Sequence, residues 1–91
     1  MDPHEHALVR AEQAAQLKAN PLFSKAFADT RAGIMEAWAA LDKADERAAE
    51  LHRMIRCMEK VQRCIDHHID TGKLARVEIE GRARWFNKRL A

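Results

Sequence analysis

The sequence predicts an all-α protein: a long antiparallel helical hairpin with a short N-terminal helix before it and a basic C-terminal helical tail after it. Three observations carry that prediction, namely composition, apolar spacing and punctuation. Of 91 residues, 47% are hydrophobic and 33% charged, with only three Gly and two Pro. Ala, Leu, Met, Glu, Lys and Arg keep their rotamer freedom in a helix, so this composition favours one. Apolar residues recur at steps of three and four through most of the chain. Start and stop signals divide it at Asp2-Pro3, at Asn20-Pro21, across 41–45 and at Thr71-Gly72.

The first helix is expected over 3–19. Met1 is expected to be disordered. Asp2 is a cap residue, Pro3 occupies the first helical position where its missing amide is harmless, and Glu5 can reach back to the Asp2 amide. The apolar positions Ala7, Leu8, Ala11, Ala14, Ala15 and Leu17 follow helical spacing, but most are Ala and bury little area, so this should be the weakest helix.

The second helix is expected over 21–41, opened by Asn20 as cap and Pro21. Phe23, Phe27, Thr30, Ile34, Trp38 and Leu41 fall on one stripe, with Leu22, Ala26 and Met35 beside it. That match to a period of 3.6 predicts the strongest core helix.

The third helix is expected over 44–71. Leu51, Met54, Met58, Val61 and Ile65 form a heptad-like seam that runs on to His68, flanked by Ile55 and Ile69. About 27 residues make a helix roughly 40 Å long, whereas a compact fold of this size is about 32 Å across. The helix should therefore overhang, and Leu51, Met54, Met58, Val61 and Ile65 become the expected oligomer interface. Gly72 is expected to end the helix in a left-handed turn.

Residues 73–91 form the basic tail. Lys73, Arg76, Arg82, Arg84, Lys88 and Arg89 stand against Glu78 and Glu80, about +4, while residues 1–72 carry 10 basic and 12 acidic groups, about −2. Such segregation suits an electrostatic contact made by the tail alone. Arg82, Arg84, Trp85, Lys88 and Arg89, with Phe86 among them, are the expected partner-binding or nucleic-acid-binding residues. A plainer expectation is a short helix whose Leu74, Val77, Trp85 and Leu90 pack on the hairpin under snorkelling charges. Gly81 predicts a bend.

At 91 residues only about 60–65% of the unfolded surface can be buried, so a monomer would be marginal. The longest apolar run, Ala37 to Leu41, is far short of the roughly 20 residues that cross a bilayer, and the acidic start lacks a signal peptide's character. No membrane role is expected. Cys57 and Cys64 are seven apart on one helix, about 10 Å along its axis, so they cannot pair within the chain. They are expected to act as small, half-buried apolar groups, with a bridge between chains left open. Met35, Met54 and Met58 are expected in the core. His4 and His6, and His67 and His68, point to different faces and match no metal-ligand spacing; His68 is expected at a seam. Asp66 and Asp70 share a face near the helix end, where they read as solvated carboxylates. No phosphate loop, nucleophile elbow or Cys zinc motif occurs. Neither enzymatic activity nor a metal or cofactor is expected.

Ala19-Asn20-Pro21-Leu22-Phe23, continuing through Ala26-Phe27 to Ile34 and Trp38, then Leu51-His52-Arg53-Met54 and Ile69-Asp70-Thr71-Gly72-Lys73-Leu74-Ala75, resembles small helical proteins encoded by tailed bacteriophages and prophages. The likeness covers about residues 7–75. It implies a setting among head-assembly and DNA-packaging genes. The expected role is therefore that of a non-enzymatic, homo-oligomeric phage protein that binds other proteins in virion assembly or genome packaging, in the host cytoplasm or in the virion. The partner would be another phage or host protein, such as one that the chain inhibits. The alternative is a DNA-binding packaging component resembling a small terminase subunit, although no helix-turn-helix signal accompanies it.

Overall fold

The computed structural model describes residues 2–90, so the expectations that touch Met1 and Ala91 lie outside it. Three helices account for the fold, α1 (Pro3–Ala19), α2 (Pro21–Ala39) and α3 (Glu46–Leu90), and no strand occurs among the described residues. The chain divides into two compact units. One is Lys18–Cys64; the other joins the residues up to Leu17 with those from Ile65 onward. α3 contributes to both.

The helix starts follow from their caps. The Asp2 carboxylate accepts from the His4 amide at 3.1 Å, and Glu5 accepts from the Asp2 amide at 3.4 Å. Asn20 is extended, and its Oδ1 accepts from the Leu22 and Phe23 amides at 2.9 and 3.1 Å, satisfying donors that α2 itself leaves free. α2 stops two residues short of the expected Leu41, in a turn where the Asp42 carboxylate accepts from the Ala44 amide. α3 begins at Glu46 rather than at 44 because Asp45 is the cap. Its carboxylate accepts from the Arg47 amide at 2.9 Å and from the Arg47 guanidinium at 2.8 Å. Those bonds, side chain first, hold the Asp45 carboxyl below the usual carboxylate range.

In the Lys18–Cys64 unit the α2 stripe turns inward, with Phe23, Phe27, Ile34, Trp38 and Leu41 all half-buried and the Phe23 and Phe27 rings 5.9 Å apart. No residue of α2 is fully buried, contrary to its expected rank as the strongest core helix. Thr30 leaves the stripe for the surface, where its hydroxyl donates to the Ala26 carbonyl at 2.8 Å. On α3 the phase of the seam also differs. Ile55, expected on the flank, is 7% exposed beside buried Ala48, whereas Met54 and Val61 are 46% and 49% exposed. Leu51 and Met58 fit two stripes equally, one completed by Ala48 and Ile55 and the other by Met54 and Val61. Burial follows the first.

In the other unit Thr71-Gly72 does not end a helix. No glycine has positive φ, and α3 runs on to Leu90 without a break at Gly72 or Gly81. Gly72 is instead the point where α1 crosses α3. A Cβ there would overlap the Ala11 Cβ and stand 3.5 Å from the Ala7 carbonyl oxygen. Ala7, Ala14 and Ala75 are buried around the contact. The alanines that make α1 poor in buried area are what permit this approach, and dispersion at short range replaces bulk. Residues 73–90 are thus the last turns of α3, not a separate element. Arg82 ties their outer end to the start of α1, 3.7 Å from the Asp2 carboxylate and 3.3 Å from His4 Nε2.

Candidate interaction surfaces

The interface residues read from the sequence separate on the structure. Leu51, Met58 and Ile65 are half-buried within their units, and Met54 and Val61 face outward. Cys57 and Cys64, expected to be half-buried, are exposed as free thiols. Met54, Cys57, Val61 and Cys64 follow steps of three, four and three, so they form one uncovered stripe on α3. Met35 is likewise exposed.

The side of α2 that adjoins this stripe is identified by two contacts. Ala37, Leu41, Leu51 and Met54 line one depression between the helices. Arg31 and Glu59 meet at 3.6 Å on the opposite flank. Ala26, Thr30, Gly33 and Ala37 repeat at steps of four, three and four on the Met54 flank, and all are exposed. Gly33 has nothing within 4 Å of the place a Cβ would take. The face is therefore small and mostly apolar on α2, with Thr30 its one polar residue, and on α3 it is larger and apolar from Met54 to Cys64, with the charged Arg47 and Glu50 at its N-terminal end. The sequence carried this signal in the spacing of its small residues, which the aromatic stripe beside them obscures.

A second surface lies on the last turns of α3. Val77, Gly81, Arg84 and Trp85 border a shallow groove. Trp85 is 60% exposed, and the Arg89 guanidinium sits 5.1 Å from its ring centroid, a cation–π contact. Leu74, Val77, Phe86 and Leu90 are exposed as well, so the expected packing of Leu74, Val77, Trp85 and Leu90 is absent. Arg84 and Lys88 are exposed, while Arg82 is engaged by Asp2 and His4. Phe86 stands about 100° around the helix from Trp85, so the two aromatic rings belong to different faces. His68 is exposed rather than on a seam, its ring 6.0 Å from that of His67. Asp70 pairs with Lys73 at 4.0 Å.

Among the described residues no group of three His, Cys, Asp or Glu side chains converges on a metal position, and no helix is long and apolar enough to cross a membrane. Of the described residues only five apolar ones are buried, and none of their side chains falls below 2% exposure. Accessible surface totals 7455 Å² for a chain of 10.4 kDa. Surface scaling gives about 5,400 Å² for a folded monomer of that mass, and about 6,500 Å² if the two units count as separate bodies. Roughly 1,000–2,000 Å² of surface is thus left uncovered by one chain, against the roughly 800 Å² that each partner gives to a standard protein interface. Compared with protein-family models, curated proteins and solved structures, the chain matches none of them.

Proposed function

We propose that this protein works by binding rather than by catalysis, as a homo-oligomeric helical protein that joins other proteins in the assembly of a tailed-phage virion or in packaging its genome. The phage setting comes from the sequence resemblance. The observation that supports association is the uncovered apolar surface of α3, because in a chain that is 47% hydrophobic only five apolar residues among those described are buried. A partner helix would complete the core that one copy lacks. The protein would act in the host cytoplasm or within the particle. Deleting its reading frame from the phage or prophage that encodes it should give misassembled or unfilled heads, and normal yields of filled particles would reject the proposal.

The alternative, a DNA-binding packaging component, draws support from Arg84, Lys88 and Arg89 around an exposed Trp85. It competes with the ties that already hold Arg82 and with a net charge of only +2. If these residues grip phosphates, duplex affinity falls steeply with salt, and removing each charge lowers the slope of log affinity against log salt by about one. If they dock on a protein, Trp85→Ala weakens the contact more than the loss of Arg84 and Lys88 together, because aromatic anchors outweigh rim charges.

A further inference from the structure

We propose that the partner of the α2–α3 face in the Lys18–Cys64 unit is the same face of a second copy, in a four-helix arrangement that stacks α2 of one chain on α3 of the other. This rests on the self-association proposed above and adds its geometry. The area that the chain as a whole leaves uncovered is one reason to commit to a partner as large as a second copy, since a standard interface takes about 800 Å² from each partner. Shape is another. Met54 and Val61 stand out from α3, and Ala26, Gly33 and Ala37 leave α2 low, so one copy offers the knobs that the other can receive. The Thr30 hydroxyl is already bonded to Ala26, which keeps a polar demand off this face.

Charge selects between the two symmetric ways of closing such a face. At 100° per residue, Asp29 and Glu36 lie just beyond the small residues on the outer edge of α2, and Arg53 and Lys60 lie just beyond Cys57 and Cys64 on the outer edge of α3, where the acidic Glu46 and Glu50 sit nearer the helix start, past the level at which α2 ends. All four are exposed. A two-fold axis across the helices would stack α2 on α2 and α3 on α3, which sets acid against acid and base against base. An axis parallel to the helices stacks α2 on the partner's α3, which sets the acidic edge against the basic edge.

Levels along the helices agree with the second arrangement. Arg31 lies beside Glu59, and Ala37 beside Met54, so a residue of α2 and its neighbour on α3 have numbers that sum to 90 or 91. An axis parallel to the helices preserves each level. Glu36 then comes within about one residue of Arg53 of the second copy, and Asp29 within about one residue of Lys60. Asp29 already holds Lys25 at 2.9 Å, which makes Glu36 with Arg53 the cleaner pair.

Sedimentation equilibrium of the full chain tests this, with circular dichroism confirming that each variant remains helical. Glu36→Arg and Arg53→Glu should each raise the dimer Kd about 10- to 30-fold, since two symmetric contacts turn from attraction to repulsion. The double variant should return to within about threefold of the natural chain, because the reversed charges meet again. Gly33→Leu, which helix propensity favours within one chain, should weaken the dimer by tenfold or more by filling the space meant for the partner. A dimer indifferent to Gly33→Leu and to both charge reversals would overturn this geometry while leaving self-association intact. So would singles that weaken the dimer with no recovery in the double. A natural chain that stays monomeric would remove self-association itself.

Discussion

Replacing Gly72 by Ala tests whether this glycine is a crossing point or a helix end. Ala is favoured over Gly inside a helix by about 0.8–1 kcal/mol, so substitution at an unconstrained helical site should stabilise. At Gly72 the new methyl would occupy the space of the Ala11 Cβ, with the Ala11 Cα 3.6 Å and the Ala7 carbonyl oxygen 3.5 Å away. The obstacle, the Ala11 Cβ, is fixed to the backbone of α1, where no rotamer change can clear it, and the other two atoms are at ordinary contact distance. Relief requires α1 to move, and overpacking of this kind costs about 1–3 kcal/mol. The net expectation is a loss of up to about 2 kcal/mol, or as much as roughly 8–16 °C in Tm for a domain this size. Gly81→Ala, with nothing within 4 Å, should instead gain about 0.5–1 kcal/mol. A left-handed helix end would also penalise Gly72→Ala, so the discriminating measurement is the double variant with Ala11→Gly in urea melts. Removing the Ala11 Cβ should recover at least 1 kcal/mol of coupling. Additive effects, or a stabilising Gly72→Ala, would refute the crossing.

Four further outcomes follow from the packing and caps. Ile55→Ala should cost about 2–4 kcal/mol in denaturant melts as the deepest large side chain of its unit, and a cost under about 1 would mean that the buried phase of α3 is wrong. Phe27→Ala, at a half-buried position, should cost only about 1–2 kcal/mol. Asn20→Ala should cost about 1 kcal/mol through loss of the two amide bonds that open α2. Asp45 has a folded pKa below its unfolded value, so its stabilisation is present above the unfolded value and is lost as pH falls through the lowered one, below about pH 4. Amide exchange at Arg47 should accelerate in that window and lose this dependence in Asp45→Asn.

Much of the fold is written in local chemistry. Asp2, Asn20 and Pro21 act where they stand, since a cap needs only its own first turn. The α2 stripe was legible because Phe23, Phe27, Ile34 and Trp38 share one face and leave no competing phase. Gly72 was not legible. A glycine at a helix end and one at a helix crossing look the same along the chain, and the difference lies in Ala11, some sixty positions away. The phase of α3 was ambiguous for a related reason, as Leu51 and Met58 serve a stripe with Ile55 and another with Met54. Only the position of α2 decides between them. The outward stripe then leaves Met54, Cys57, Val61 and Cys64 uncovered as a candidate surface.

A copy that leaves its own core incomplete should be found with a partner, and mass in solution reads this without any substitution. Sedimentation equilibrium across a concentration series should show a species of at least twice 10.4 kDa that dissociates on dilution. A helical, cooperatively folded monomer at every concentration up to about 100 μM would contradict it, because an interface of standard size with complementary edges should associate more tightly than that.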